Sequence, residues 1–168
     1  MGWNIFPVLA LALTISACNT SQPSQIEGSS TPVPESLIVY FTDMPRYQVG
    51  TEPYETPVTR SVPAPASLPE ETLNQLFLGP TEAEKAHGLA VILSGTTGFS
   101  KLTIENGIAR VYMTGTCASL GSTYTIANLI VANLKQFPEI MWIKIYDQNG
   151  GTETPDGQSD SIPFCLEP

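Results

Sequence analysis

The single histidine, His87, has the side chain best suited to proton transfer near neutral pH. It follows a short helical pattern at Thr81–Ala86 and precedes Gly88, a position where a histidine favours a helix C-terminus. A serine hydrolase would also need the Gly-x-Ser-x-Gly turn that presents its nucleophile, and the sequence does not contain this motif. We therefore predict that His87 caps a helix and that the chain has no catalytic residues; a catalytic base is the weaker alternative.

Acidic and amide side chains gather near the C-terminus, and their oxygen atoms are of the kind that Ca²⁺ prefers. They are Asp147, Asn149, Glu153, Asp156 and Asp160. The position of Gly150 does not fit an EF-hand loop. No second cysteine or histidine stands at the spacing of zinc ligands. We predict a solvated acidic tail with no metal and no cofactor, and calcium binding is the alternative.

Two tyrosines, Tyr47 and Tyr54, lie in a polar segment that also contains Pro45, Gly50 and Pro53. This segment is predicted to be a loop after the first strand. A tyrosine offers an apolar ring and a polar hydroxyl, and this combination is common at contacts with other molecules. Tyr47 and Tyr54 are thus the candidate surface contacts for a glycan or a protein. An exposed loop without a ligand is the alternative.

The first 17 residues have the features of an export signal. The apolar run Ile5–Ile15 is shorter than the roughly 20 residues that a membrane-spanning helix needs, and small residues follow it. Ile15-Ser16-Ala17-Cys18 resembles the lipobox of bacterial lipoproteins, which implies cleavage before Cys18 and a lipid on its thiol. The segment before the apolar run has no Lys or Arg, which departs from that pattern. Ordinary secretion, with Cys18 incidental, and an uncleaved buried helix are the alternatives.

Residues 18–35 follow as a predicted tether, rich in Ser, Thr, Gln, Pro and Gly. Such a segment cannot bury enough apolar surface to offset the entropy lost on ordering.

If Cys18 carries lipid, Cys117 and Cys165 remain as an even pair in an oxidising compartment. We predict a disulfide between them that ties the tail, residues 151–168, back to the domain; two buried free thiols are the alternative.

The negative charge of the chain limits the classes of partner that it is expected to bind. The formal net charge is −9, and only 14% of the 168 residues are charged. Phosphate backbones repel such a protein, so nucleic acid is not expected as a partner. Anionic membrane surfaces should also repel the folded part, so membrane attachment would have to come from the lipid. We expect the protein to be anchored to a membrane by that lipid, on the side away from the cytoplasm.

Hydrophobic periodicity predicts an α+β domain over residues 36–150. The pattern gives the order β-β-α-β-β-α-β, a two-layer sandwich with a mixed β-sheet and helices packed on one face. Ser67 is the expected cap of the first long helix, and Ser122 or Thr123 of the second. Asn106-Gly107 between two alternating runs predicts a hairpin. The predicted strands are residues 36–42, 57–62, 99–104, 108–113 and 140–146, and residues 89–93 form an apolar run that ends at a turn.

These elements carry sequence pieces that resemble, in their order and spacing, a GerMN domain of the sporulation and spore germination family. The pieces are Leu37–Phe41, Leu73–Leu76 running into Gly79-Pro80-Thr81, Gly88-Leu89 with Ser94-Gly95-Thr96, Ile104–Ala109 before Val111, and Leu134–Ile140 with Ile143–Ile145. Two departures are Tyr112, where the family often has an acidic residue, and Leu93-Ser94, where a proline is common. These departures affect local loop shape more than the fold.

The resemblance implies a non-enzymatic module of the cell envelope that binds protein or peptidoglycan. No catalytic residues of the family carry over to this sequence. The expected function is that of a membrane-anchored interaction or scaffold module, and homo-oligomerisation through strand edges is open. The alternative is an accessory subunit or small hydrolase of cell-wall remodelling.

Overall fold

The computed structural model of the chain describes residues 1–2 and 34–168. The predicted signal segment, Cys18 and most of the predicted tether lie outside the described residues. No helix in the described part is long and apolar enough to cross a membrane.

The first sheet contains three antiparallel strands. The strand β1 (Glu35–Asp43) pairs on one side with β2 (Glu55–Val62) and on the other with the short β3 (Leu89–Ala90). In β1 the buried side chains alternate along the strand, at Leu37, Val39 and Phe41. This period of two places one face of the strand against the core.

A helix, α1 (Met44–Val49), occupies the first part of the segment between β1 and β2, where the sequence predicts a loop. The side chain of Asp43 accepts a hydrogen bond from the Arg46 amide at its start. At its end Gly50 adopts a φ of 69°, which suits a residue without a Cβ. The expectation of a loop was wrong over these six residues because capping, rather than an apolar stripe, defines the helix.

The second sheet consists of β4 (Thr96–Glu105), β5 (Ile108–Gly115) and β6 (Trp142–Tyr146). The strands β4 and β5 form the predicted antiparallel hairpin, and Asn106 and Gly107 at its turn have φ values of 52° and 77°. The strand β6 pairs parallel to β5. The α+β class is therefore confirmed, with mixed pairing in this sheet and the strands divided between two sheets.

Three further helices follow the strands: α2 (Leu68–Leu78), α3 (Glu82–Ala86) and α4 (Ile126–Lys135). Ser67 caps α2 as expected. The cap of α4 is Thr125, which forms a capping box with Asn128, and not Ser122 or Thr123. Ser122 instead bonds within its own turn, to the backbone of Tyr124.

The core lies where α2 and α4 pack on β1 and on each other. The fully buried apolar side chains come from both helices and both sheets. They are Val39, Phe41, Leu73, Leu76, Ala109, Val111, Ile126, Leu129, Ile130, Leu134 and Ile145. Burial of this kind stabilises by about 25 cal/mol per Å² of apolar surface removed from water.

Two polar side chains, Asn133 of α4 and the C-cap residue Gln136, cover the edge of β1 beyond the end of β3. Asn133 is completely buried, accepts from the Tyr40 amide at 2.9 Å and donates to the Tyr40 carbonyl at 2.9 Å. One turn later Gln136 donates to the Ile38 carbonyl at 3.1 Å. These amides satisfy backbone groups that a longer third strand would otherwise pair, and so protect an open sheet edge.

Candidate functional site

Three tyrosines from separate parts of the chain pack together at one end of α4. Tyr47 comes from α1, Tyr54 from the segment before β2, and Tyr124 from the residues before α4. Their ring centroids lie 5.4 Å (Tyr47–Tyr54), 5.3 Å (Tyr47–Tyr124) and 5.3 Å (Tyr54–Tyr124) apart, and two of the pairs meet edge to face. Each such contact contributes about 0.5–1.5 kcal/mol beyond simple burial. The two tyrosines predicted as surface contacts are thus held half-buried by a third.

Tyr124 is the floor of this cluster. Its side chain is buried, and its hydroxyl lies 3.4 Å from the hydroxyl of the fully buried Thr42. Burial raises the pKa of Tyr124 well above its ordinary value; the bond to Thr42 opposes this rise and the Glu55 carboxylate adds to it. Tyr124 therefore stays neutral and keeps a proton to donate, with the Glu55 carboxylate close to it.

A groove opens beside the cluster. Its mouth is a hollow of about 680 Å³, lined by Glu52, Pro53, Tyr54, Glu55, Thr123, Tyr124 and Asn128. A second hollow of about 410 Å³ adjoins it and shares Glu55, Thr123 and Asn128. Both volumes are in the range of small-ligand sites, about 300–1,000 Å³. We call the two hollows together the tyrosine–glutamate groove.

The second hollow is mainly apolar. One wall is α4, and the other is the C-terminal tail. The apolar side chains that line it are Ala127, Val131, Ala132, Ile162, Leu166 and Pro168. One end of the groove is thus acidic and aromatic, and the other is aliphatic.

The tail forms a wall because a disulfide and the hydrogen bonds of a buried lysine hold it in place. A disulfide joins Cys117 to Cys165, with Cα atoms 5.6 Å apart. Lys144 of β6 is completely buried and donates to the carbonyls of Thr154 (2.6 Å) and Asp156 (3.1 Å) and to the hydroxyl of Ser159 (3.1 Å). A buried ammonium is stable only where such acceptors surround it, so this lysine fixes the path of residues 154–159.

The other residues considered from the sequence have structural partners away from the groove. His87 ends α3, and its Nδ1 lies 2.7 Å from the Ala83 carbonyl. The carboxylate of Asp147 accepts from the amides of Asn149 and Gly151 within one turn. The carboxylate of Asp160 accepts from the Ile143 amide and pairs with Lys135. Over residues 34–168, no three metal-ligating side chains come together.

Glu55, Tyr124 and Asn128 were missed by the sequence interpretation. They line one hollow from segments some 70 residues apart in the sequence, and no local pattern reports such proximity. Asn128 carries the one local signal, because Thr125 followed three residues later by an amide is the spacing of a capping box. That signal marks the start of α4 and therefore the position of the groove.

Comparisons with known proteins identify the family. The family model described as "Germane: Sporulation and spore germination" matches residues 38–152. Among solved structures, the tandem GerMN domains of the sporulation protein GerM from Bacillus subtilis superpose with a TM-score of 0.50 and 18% sequence identity. The alignment covers 80% of this chain and 46% of that chain, so the present chain spans less than half of it. At this identity the likeness concerns the fold.

The curated proteins give no match to this sequence. The family is described by a cellular process, sporulation and spore germination, and not by an enzymatic activity. The matched residues contain α1–α4, β2–β6 and most of β1. The chain therefore belongs to the Germane family of sporulation and spore germination domains.

Proposed function

We propose that the protein is an exported lipoprotein, anchored to a membrane through Cys18, whose Germane domain acts as a non-enzymatic binding module of the cell envelope. The observation that carries the binding role is the tyrosine–glutamate groove. It combines aromatic rings, two carboxylates and an aliphatic wall in one concave surface. Sites of this composition recognise ligands through apolar contact and a few placed polar groups.

The polar groups of the groove favour binding over hydrolysis. Glu52 and Glu55 line the groove from one short segment, which precedes and begins β2. Glycoside hydrolysis instead needs two carboxyls that flank the scissile bond. His87 is engaged as a helix cap, away from the groove. These arrangements support a module that holds a partner without transforming it.

The anchor is supported by the residues Ile15-Ser16-Ala17-Cys18 and by the polar segment that follows them. Several acyl chains on one cysteine would hold the protein to a membrane far more firmly than a single chain. A tether as long as residues 18–35 could reach roughly 50–60 Å when fully extended. That reach would present the domain to proteins or peptidoglycan beyond the membrane surface.

Metabolic labelling with an alkyne fatty acid tests the anchor. We expect the full-length chain to take up the label and to fractionate with membranes, and the Cys18→Ser variant to do neither. The matched control is the double variant Cys117→Ser/Cys165→Ser, which keeps the same label although two other thiols are gone. An unlabelled wild-type protein in the cytosol would refute the proposed location.

Photo-crosslinking in cells tests the binding role. A benzophenone amino acid is placed at Thr123, which is exposed and lines the groove, and as a control at Glu139, which is exposed beyond the other end of α4. We expect a discrete adduct only from position 123. Its mass separates a second copy of this chain, another protein and peptidoglycan. Equal adducts from both positions would contradict a binding role for the groove.

A further inference from the structure

The chemistry of the groove narrows its ligand to one class. Its mouth contains the carboxylates of Glu52 and Glu55, and no lysine, arginine or histidine is among the described residues that line either hollow. Glu55 is half-buried and borders both hollows, where water screens its charge less than at an open surface. A cation is the complementary ligand for such a site, and an anion is repelled.

The aromatic wall distinguishes an organic cation from a metal ion. Tyr54 and Tyr124 line the mouth beside the carboxylates, and Tyr47 packs against both rings. A ring face attracts an ammonium group and packs on its methylene stem. A divalent metal instead needs six to eight oxygen ligands for Ca²⁺, or six in octahedral geometry for Mg²⁺. The described part of the chain brings no such set together here.

The second hollow adds an aliphatic requirement. Val131 of α4 and the tail residues Ile162 and Leu166 line it directly beside Glu55. A ligand that fills both hollows must carry a positive group and, within a few bonds of it, a branched apolar group. An extended peptide with a lysine next to a leucine or valine has both, and its backbone can hydrogen-bond to the Asn128 amide.

We propose that the tyrosine–glutamate groove binds an extended peptide segment through a primary ammonium group at Glu55 and Tyr54 and an adjacent aliphatic side chain between α4 and the tail. This inference names the ligand of the proposed binding module and rests on that function. The occupant is a segment of another protein chain that carries a lysine next to a leucine or valine.

Calorimetric titration of the full-length protein in a nonionic detergent tests the inference. The probe is acetyl-Gly-Lys-Leu-Gly-amide, and two matched peptides carry either N-acetyl-lysine in place of lysine or glycine in place of leucine. We expect the lysine–leucine peptide to bind. Each of the two changes should weaken it about tenfold, because one removes the charge and the other the buried aliphatic group.

Two protein variants locate the binding. Glu55→Gln should weaken the lysine–leucine peptide about tenfold and abolish discrimination against acetyl-lysine, whereas Glu139→Gln, the same change of charge outside the groove, should leave both unchanged. Tyr54→Leu keeps apolar bulk and should weaken binding about threefold through loss of the ring face. Circular dichroism of each variant verifies that it is folded.

Three outcomes would overturn the inference. They are no binding of the lysine–leucine peptide at about 2 mM, equal binding of its acetylated form, and equal loss in Glu55→Gln and Glu139→Gln. Heat from calcium chloride with none from the peptide would assign the groove to a metal. Failure of this inference is distinguishable from failure of the proposed function. If only the ligand class is wrong, the fatty-acid label and the crosslinked adduct from position 123 would both persist.

Discussion

Removal of the Cys117–Cys165 disulfide should lower the free energy of unfolding by about 3–4 kcal/mol. The bond closes a loop with a sequence separation of 48 residues. The chain-entropy relation for a loop of that length gives about 4 kcal/mol at 25 °C, and some of this is lost to residual order in the unfolded chain. The double change Cys117→Ala/Cys165→Ala removes the bond without placing a new polar group at Cys117, which is buried.

The variant should nevertheless remain folded. Backbone bonds still join Ser161 to Ile143 and Ile145, and Lys144 still holds residues 154–159. A loss of this size is also smaller than the 5–15 kcal/mol that stabilises an ordinary domain. We expect a cooperative transition at a lower urea concentration, with faster amide exchange confined to the last residues of the tail.

Urea unfolding of a chain that starts at Pro32, and so omits Cys18, measures the effect. The control is the wild-type chain reduced with dithiothreitol, which should lose the same stability as the alanine variant. A loss below about 1 kcal/mol in both would refute the reasoning, since the closed loop would then not constrain the unfolded chain. A large loss in the variant alone would assign the cost to packing of the sulfur atoms.

Three further changes test the polar contacts that position the elements. Burial alone would raise the pKa of Glu84, but the Thr81 backbone bond and the Arg60 guanidinium outweigh burial and lower the pKa. The ionised Glu84 carboxylate therefore stabilises the fold above about pH 4.5, and this contribution is lost below that pH. Glu84→Gln should therefore cost about 1–2 kcal/mol near pH 6, with a difference from wild type that shrinks toward pH 3 in urea titrations. Lys144→Met should cost about 2–4 kcal/mol and speed amide exchange in residues 154–159; unchanged exchange would contradict its role. Asn133→Ala leaves both backbone groups of Tyr40 unpaired, and thermal unfolding should show a loss of about 2–3 kcal/mol, whereas a loss below 0.5 kcal/mol would mean that water replaces the amide.

Local patterns predicted most of the fold. The β-branched and aromatic run of β1, the Asn106-Gly107 turn and the Ser67 cap depend on neighbours within a few residues, and the structure contains each of them. Elements defined by distant partners were harder to predict. The sequence predicted only an apolar run after Gly88, yet Leu89–Ala90 pairs with the end of β1 as a short strand. Asn133 of α4 and the C-cap residue Gln136 cover the next part of the β1 edge.

The candidate site was also predictable only where local sequence was enough. Tyr47 and Tyr54 are seven residues apart, and their residue type marked them as candidate contacts. Nothing near them in the sequence indicates Tyr124, which meets both rings after a separation of at least 70 residues. Lys144 was expected as an ordinary residue of the last strand, and its burial depends on acceptors supplied by the tail. Non-local assembly therefore decides which residues form the groove.

Because the disulfide holds the tail side of the aliphatic hollow and no part of the acidic mouth, its loss should separate recognition of the leucine from recognition of the lysine. Ile162 and Leu166 belong to the tail, whereas Glu55 and Tyr54 sit on the segment around the start of β2 and do not depend on it. In Cys117→Ala/Cys165→Ala, the lysine–leucine peptide should bind only as well as the lysine–glycine peptide, while preference for lysine over acetyl-lysine persists. Loss of both preferences together would show that the tail orders the whole groove, and retention of both would show that the leucine lies elsewhere. The pattern of loss thus reports which wall contacts which part of the ligand.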